Sequence, residues 1–198
     1  TVISLNDSRI AAEVEGPVTW IAQVGTAVNK GDVVARIDAR LLTLQLRQAE
    51  ATLARLKADM VFRKEEVTRY EALANQDNAS KSRLQEVIAA QAMLEQNIFE
   101  AEALLEKAAG DLKRAEIRAP FPGHMAARLV NVGEYVTPGE EVLRLVDTAH
   151  KEIALAAPIT LAPYLQEGME VPVYDDLKSL TLPIRTIVPV GDMTSRMM

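Results

Sequence analysis

From Ala39 to Glu116 the apolar residues return at intervals that alternate between four and three. The first run is Leu42, Leu46, Ala49, Leu53, Leu56, Met60, Val67 and Tyr70, with Arg63 at the one seam position that is not apolar. The second is Leu94, Ile98, Ala101, Leu105, Ala108, Leu112 and Ala115, led in by Leu84 and Ile88 with a slip of phase near Gln91. This is heptad patterning, and it predicts two helical arms of about five heptads, each about 50 Å long. Between them "ANQDNAS", residues 74–80, is polar and reads as a turn. A link that short makes the arms antiparallel neighbours. Asp38 is expected to cap the first arm and Ser80 or Ser82 the second, since Gln85 gives Ser82 a capping-box spacing. Gly110 costs the second arm about 1 kcal/mol against alanine. Pro120 and Pro122 then stop it.

On either side of the arms the period shortens. "VGTAVNKGDVVARI", Val24–Ile37, returns as "VGEYVTPGEEVLRL", Val132–Leu145. Seven spaced positions match in one register at a constant offset of 108. Each copy has a strand-turn-strand rhythm, with Gly25 and Gly31, and likewise Gly133 and Gly139, placed where tight turns need positive φ. "NKGD" and "TPGE" read as turns, with Pro138 at a favoured position. Upstream, "EGPVTWIAQ" and "FPGHMAARLVN" each pair a glycine with another short strand, and the second copy carries one extra residue there. A copy of about 30 residues is too small to bury a core alone; two, face to face, make a small β-sandwich.

Composition removes several function classes. Aromatics are 4% and the net charge is −6, against a stacking or phosphate-binding surface for nucleic acid. The charge reads as plain solubility. With no cysteine, disulfides, thiolate chemistry and Cys-based zinc sites are excluded. No run of 18 apolar residues exists to span a membrane. There is no G-x-S-x-G, H-E-x-x-H, P-loop or G-x-G-x-x-G, and no nucleophile–base constellation, so the chain is not expected to be an enzyme. Asp175 and Asp176 read as a turn, Trp20 as half-buried strand packing, and Lys30 as a solvated turn residue. His124 and His150, 26 residues apart, read as surface or turn residues rather than metal ligands. No cofactor and no metal are expected.

The paired glycine motifs resemble the two halves of a biotinyl/lipoyl carrier domain. In such carriers a hairpin bearing the modified Lys joins the halves; here "RIDAR" runs straight into a helix and no Lys occupies that place. Two halves with a long helical arm between them are similar to the periplasmic adaptors, or membrane fusion proteins, of Gram-negative tripartite efflux pumps, the resistance-nodulation-division type among them. The resemblance covers nearly the whole chain. It implies an α+β fold: residues 10–38 and 117–147 a split lipoyl-like domain, residues 39–116 a helical hairpin with its tip at 74–80. Residues 1–9 and 148–198 would belong to a β-barrel that is incomplete in this chain, with Thr1–Leu5 pairing there. Around the turn, Arg69, Leu73, Ser80 and Leu84 fit R-x3-L-x6-S-x3-L, the signature such adaptors carry where the tip meets a TolC-type outer-membrane channel. Singly, Arg69 also suits an i,i+4 pair with Glu65, Leu73 and Leu84 close the seam, and Ser80 suits a cap.

The resemblance further implies an inner-membrane transporter as partner, self-association into a ring, and a periplasmic location with an N-terminal anchor absent from this sequence. Alternatives are an adaptor of an ABC-type or metal exporter, a coiled-coil spacer, or a carrier domain. A polar, unmotivated tip would favour the spacer; the four matched positions favour the adaptor.

Overall fold

The computed structural model describes residues 1–74, 78–175 and 178–188. The chain runs β1 (Val2–Ser4), β2 (Asp7–Ala11), β3 (Gly16–Ile21), β4 (Ala27–Val28) and β5 (Val33–Ile37), then α1 (Arg40–Ala74) and α2 (Asn78–Arg114). After the helices come β6 (Glu116–Arg118), β7 (Gly123–Arg128), β8 (Tyr135–Val136), β9 (Glu141–Val146) and β10 (Lys151–Ile153). A 3-10 turn (Ile159–Tyr164), β11 (Glu170–Asp175) and β12 (Lys178–Pro183) follow. Residues 4–150 form one unit; residues 1–3 and 151–198 form another.

In the larger unit the repeat becomes two antiparallel four-stranded sheets, ordered β2-β9-β7-β4 and β6-β5-β3-β8. Each sheet takes two strands from before the helices and two from after, so the copies interdigitate rather than stack. The backbone bonds show the same exchange. Gly25 N–H donates to the Met125 carbonyl and Gly133 N–H to the Val18 carbonyl, both at 2.8 Å. Gly31 N–H donates to Ala119 and Gly139 N–H to Ala12, again at 2.8 Å. The acceptors lie 107 residues apart while the glycines lie 108 apart; the single residue of difference is the extra one in the second copy. Val18, Val34, Ala35 and Ile37 from the first copy meet Met125, Val136, Val142, Leu143 and Leu145 from the second in one buried core. Burying that surface is the main gain that holds the copies together.

The boundary expected at residue 10 falls inside β2. Asp7–Ala11 pairs with β9, from Asp7 opposite Val146 to Ala11 opposite Glu141. Its outward residues are polar and ion-paired, Arg9 to Glu141 at 2.9 Å and Asp7 to Arg144, which hides the strand in a hydropathy reading.

α1 and α2 pack along a buried cluster of Leu53, Leu56, Met60, Leu94 and Ala101, with Ile98 and Leu105 against it. Lys57 meets Glu102 and Glu66 meets Arg83, so positions rise along one helix as they fall along the other. The pair is antiparallel. Asp38 caps α1: its carboxylate accepts the Arg40 N–H at 2.9 Å, and the Arg40 guanidinium forks onto the same group. α2 begins at Asn78, not at Ser80 or Ser82. Both serines stand inside the helix, two and four residues past its first residue. Residues 75–77 of the expected 74–80 turn lie outside the described residues. Lys113 and Arg114 close α2, where cations suit the helix dipole.

In the smaller unit β1 lies beside β10 and β11 pairs antiparallel with β12. Thr1 donates to the Ala154 carbonyl at 2.9 Å, and Arg185 pairs with Glu152 at 2.6 Å. Among the described residues these are two separate two-stranded sheets rather than a closed barrel. β12 stops at Pro183, which has no N–H to continue the ladder.

Candidate functional site

The motif residues gather at the end of the helix pair farthest from the sheets. Arg69 and Leu73 lie one turn apart near the end of α1, so they share a face. Arg69 is exposed and Leu73 is 42% exposed. Ser80 stands in the first turn of α2, and Leu84, half-buried, follows one turn on. The helices therefore bring both pairs to one end, although three residues of link lie outside the description. A guanidinium with five donors, on the same helix face as Leu73, suits backbone carbonyls or a side-chain carboxylate.

The Glu65–Arg69 pair allowed by spacing is not formed among the described residues. Glu66, which faces the other helix, takes the charges instead: Arg63 at 3.0 Å and Arg83 at 4.0 Å. Arg83 also bonds Glu86 at 2.6 Å and lies over the Tyr70 ring, 5.8 Å from its centre. A reading of the motif alone misses this network. Its signal was the charge pattern beside the seam: Glu66 precedes Val67, Arg83 precedes Leu84, and packed helices bring such flanking positions together.

At the sheet end, the chain leaves β9 through a polar cluster built on Asp147. Asp147 is 2% exposed. Its carboxylate meets His150 Nδ1 at 2.9 Å and accepts the Ala149 and His150 N–H groups at 2.9 and 3.1 Å and the Asn6 amide at 3.3 Å. The His150 ring above all, then its backbone N–H, hold the Asp147 carboxyl at about 2, against the pull of burial in the other direction. His124 Nδ1 lies 2.7 Å from the Thr148 hydroxyl. Both histidines thus bond one four-residue segment. Among the described residues no three His, Asp or Glu side chains gather as metal ligands.

Trp20 is 42% exposed under the Arg36 guanidinium, 5.4 Å from the ring centre. Gly25, Gly31, Gly133 and Gly139 have φ of 89°, 91°, 93° and 90°. Lys30 is exposed in its turn, and Asp176 lies outside the described residues. No described helix is long and apolar enough to cross a membrane.

The fold has counterparts among known proteins. Residues 6–147 match the family described as CzcB-like, barrel-sandwich hybrid domain. The multidrug resistance protein MdtA of Proteus mirabilis (strain HI4320) is 31% identical over 140 residues, covering 70% of this chain and 34% of that protein. The chain spans about a third of the length of the curated relatives it matches. MacA from Actinobacillus actinomycetemcomitans superposes with a TM-score of 0.83 at 22% identity, over 98% of this chain and 67% of that one. The membrane fusion protein Spr0693 from Streptococcus pneumoniae R6 gives 0.75 at 17% identity, over 98% and 84%. At such identities the likeness is one of fold.

Proposed function

The chain belongs to the CzcB-like barrel-sandwich hybrid family, and from that premise we propose that it is part of a periplasmic adaptor holding an inner-membrane transporter to a TolC-type outer-membrane channel. One observation carries the reading. Two helices of about 50 Å, rooted in an interdigitated sandwich, set Arg69, Leu73, Ser80 and Leu84 at the far end of an arm. The role is non-catalytic. The sandwich is the rigid root, the helices give reach, and the tip docks. β1, β10, β11 and β12 supply strands of a β-barrel, and copies assemble into a ring in the periplasm. The MdtA relatives are named for multidrug resistance, which favours drug efflux as the cargo class over metal export.

At the tip, Arg69 brings a fixed positive charge and donors for carbonyls or a carboxylate at the channel entrance. Leu73 and Leu84 give a small apolar patch, and Ser80 a compact residue that tolerates close helix approach. Arg69→Asp in the full-length protein should leave helical circular dichroism unchanged and stability within about 0.5 kcal/mol, as expected of an exposed position. Cross-linking to the channel and pump-dependent resistance should both be lost. Arg55→Asp, in mid-arm, should keep both. Full efflux and channel cross-linking in Arg69→Asp cells would reduce the arm to a spacer.

A further inference from the structure

We propose that Arg83 is a positioning residue for the tip: by clasping Tyr70 and Glu66 across the helix pair it sets the rotation and register at which Arg69, Leu73 and Leu84 are presented. The proposal rests on the tip-docking reading and deepens it.

The seam changes character along its length. In mid-arm it is apolar and closed, through Leu53, Leu56, Met60, Leu94 and Ala101. Beyond Met60 it is mixed. Arg63 occupies a seam position, and Gln91, half-buried, bonds Glu95 at 3.0 Å. Among the described residues the buried apolar side chains in this stretch are Val87 of α2 and Ala74 of α1, both small. Apolar contact is non-directional and tolerates small rotations or slips; polar seam and flank residues specify register. The tipward third therefore depends on its charges for a single arrangement.

Among the described residues Arg83 is the charged group that crosses the pair there. It lies over Tyr70 of α1 and faces Glu66 of α1, while Glu86 on its own helix orients it from 2.6 Å. Glu66, only 14% exposed, is held from the other side by Arg63 at 3.0 Å. A flat guanidinium can stack on a ring and fork to carboxylates at once, whereas a lysine ammonium cannot.

The anchored residues are chain neighbours of the motif. Tyr70 follows Arg69, and Arg83 precedes Leu84. Successive side chains on a helix point about 100° apart, so turning Tyr70 and Arg83 toward each other fixes where Arg69 and Leu84 point. Leu73 follows Tyr70 by three residues and turns with it.

The absence of cysteine from these 198 residues makes a spin-label test direct. In the full-length protein, with any cysteine elsewhere replaced by serine, Thr68→Cys and Gln85→Cys carry the labels on exposed positions away from the clasp. Pulsed EPR reads their distance, and affinity for the purified TolC-type channel is measured on the same samples. Arg83→Ala should broaden or shift the distance distribution and weaken channel binding at least tenfold, with helical circular dichroism unchanged. Arg83→Lys should behave like Arg83→Ala, and Tyr70→Phe, which keeps the ring but loses the hydroxyl that Arg83 also reaches, should fall between the parent and Tyr70→Ala. Tyr70→Ala should match Arg83→Ala, and the double variant should be no worse than either single one. Binding lost with an undisturbed distance would make Arg83 a direct contact and overturn the proposal; so would unchanged binding and distance. If the parent itself binds no channel, the docking reading fails, and the EPR distance alone decides whether Arg83 positions the tip.

Discussion

A side chain at Gly31 or Gly139 would meet no neighbouring atom within 4 Å, so space does not require glycine there. Backbone conformation does: φ is 91° and 90°, in the left-handed region that other residues enter at a cost. Gly31→Val and Gly139→Val should each destabilise the domain by about 1–3 kcal/mol, and by similar amounts because the turns are equivalent. Urea midpoints equal to the parent's would refute this. Asp147 makes a different kind of residue-scale statement. Its folded pKa of about 2 lies below the ordinary carboxylate value, so the stabilisation it brings is present above about pH 4 and disappears as pH falls through about 2. Asp147→Asn keeps the shape and removes the charge. The gap in urea midpoint between parent and Asp147→Asn should be full at pH 5 and close progressively toward pH 2. A gap that does not change over that range would show that the charge contributes nothing.

At the scale of elements, the helices are strong where their seam is apolar and carry a weak point at Gly110. That glycine sits inside α2, and a Cβ there would meet nothing within 4 Å. Gly110→Ala should therefore stabilise the protein by about 0.5–1 kcal/mol, through the lower entropy of the unfolded chain and better helix propensity. Urea unfolding monitored by helical circular dichroism measures it, and a midpoint equal to or below the parent's would refute it. The heptad intervals and Asp38 made α1 legible from its first residue. The start of α2 was not legible, because Asn78, Ser80 and Ser82 all carry capping chemistry and local spacing does not choose among them. The clasp of Arg63, Glu66, Tyr70, Arg83 and Glu86 stayed hidden for a related reason: charge partners across two helices depend on rotation, which spacing in one chain does not define.

For the molecule as a whole, the interdigitated sheets imply that the sandwich folds as one object or not at all. Neither copy has a complete sheet, since β4 pairs with β7 and β8 with β3. The root ends of the helices, by contrast, emerge from neighbouring strands: β5 leads into α1, β6 leaves α2, and β5 and β6 are paired, Arg36 opposite Glu116. Joining Asp38 to Glu116 through a short Gly-Asn turn should leave a folded sandwich with dispersed amide NMR signals, while residues 4–38 alone should give the collapsed spectrum of an unfolded chain. A collapsed spectrum from the joined protein would show that the helices are part of the folding nucleus. The matched V-G-x-x-V-x-x-G-x-x-V-x-R repeat already carried the turns and the place of the helical insertion, because glycine conformation and strand alternation are local properties. Heptad spacing carried the arms for the same reason. It did not carry the exchange of strands between copies, the membership of Asp7–Arg9 in the sandwich, the burial of Asp147 or the partners of Arg83. Those depend on which distant segments meet, and hydrogen-bond pairing and charge partnership between remote residues exist only once the backbone has closed around one shared core.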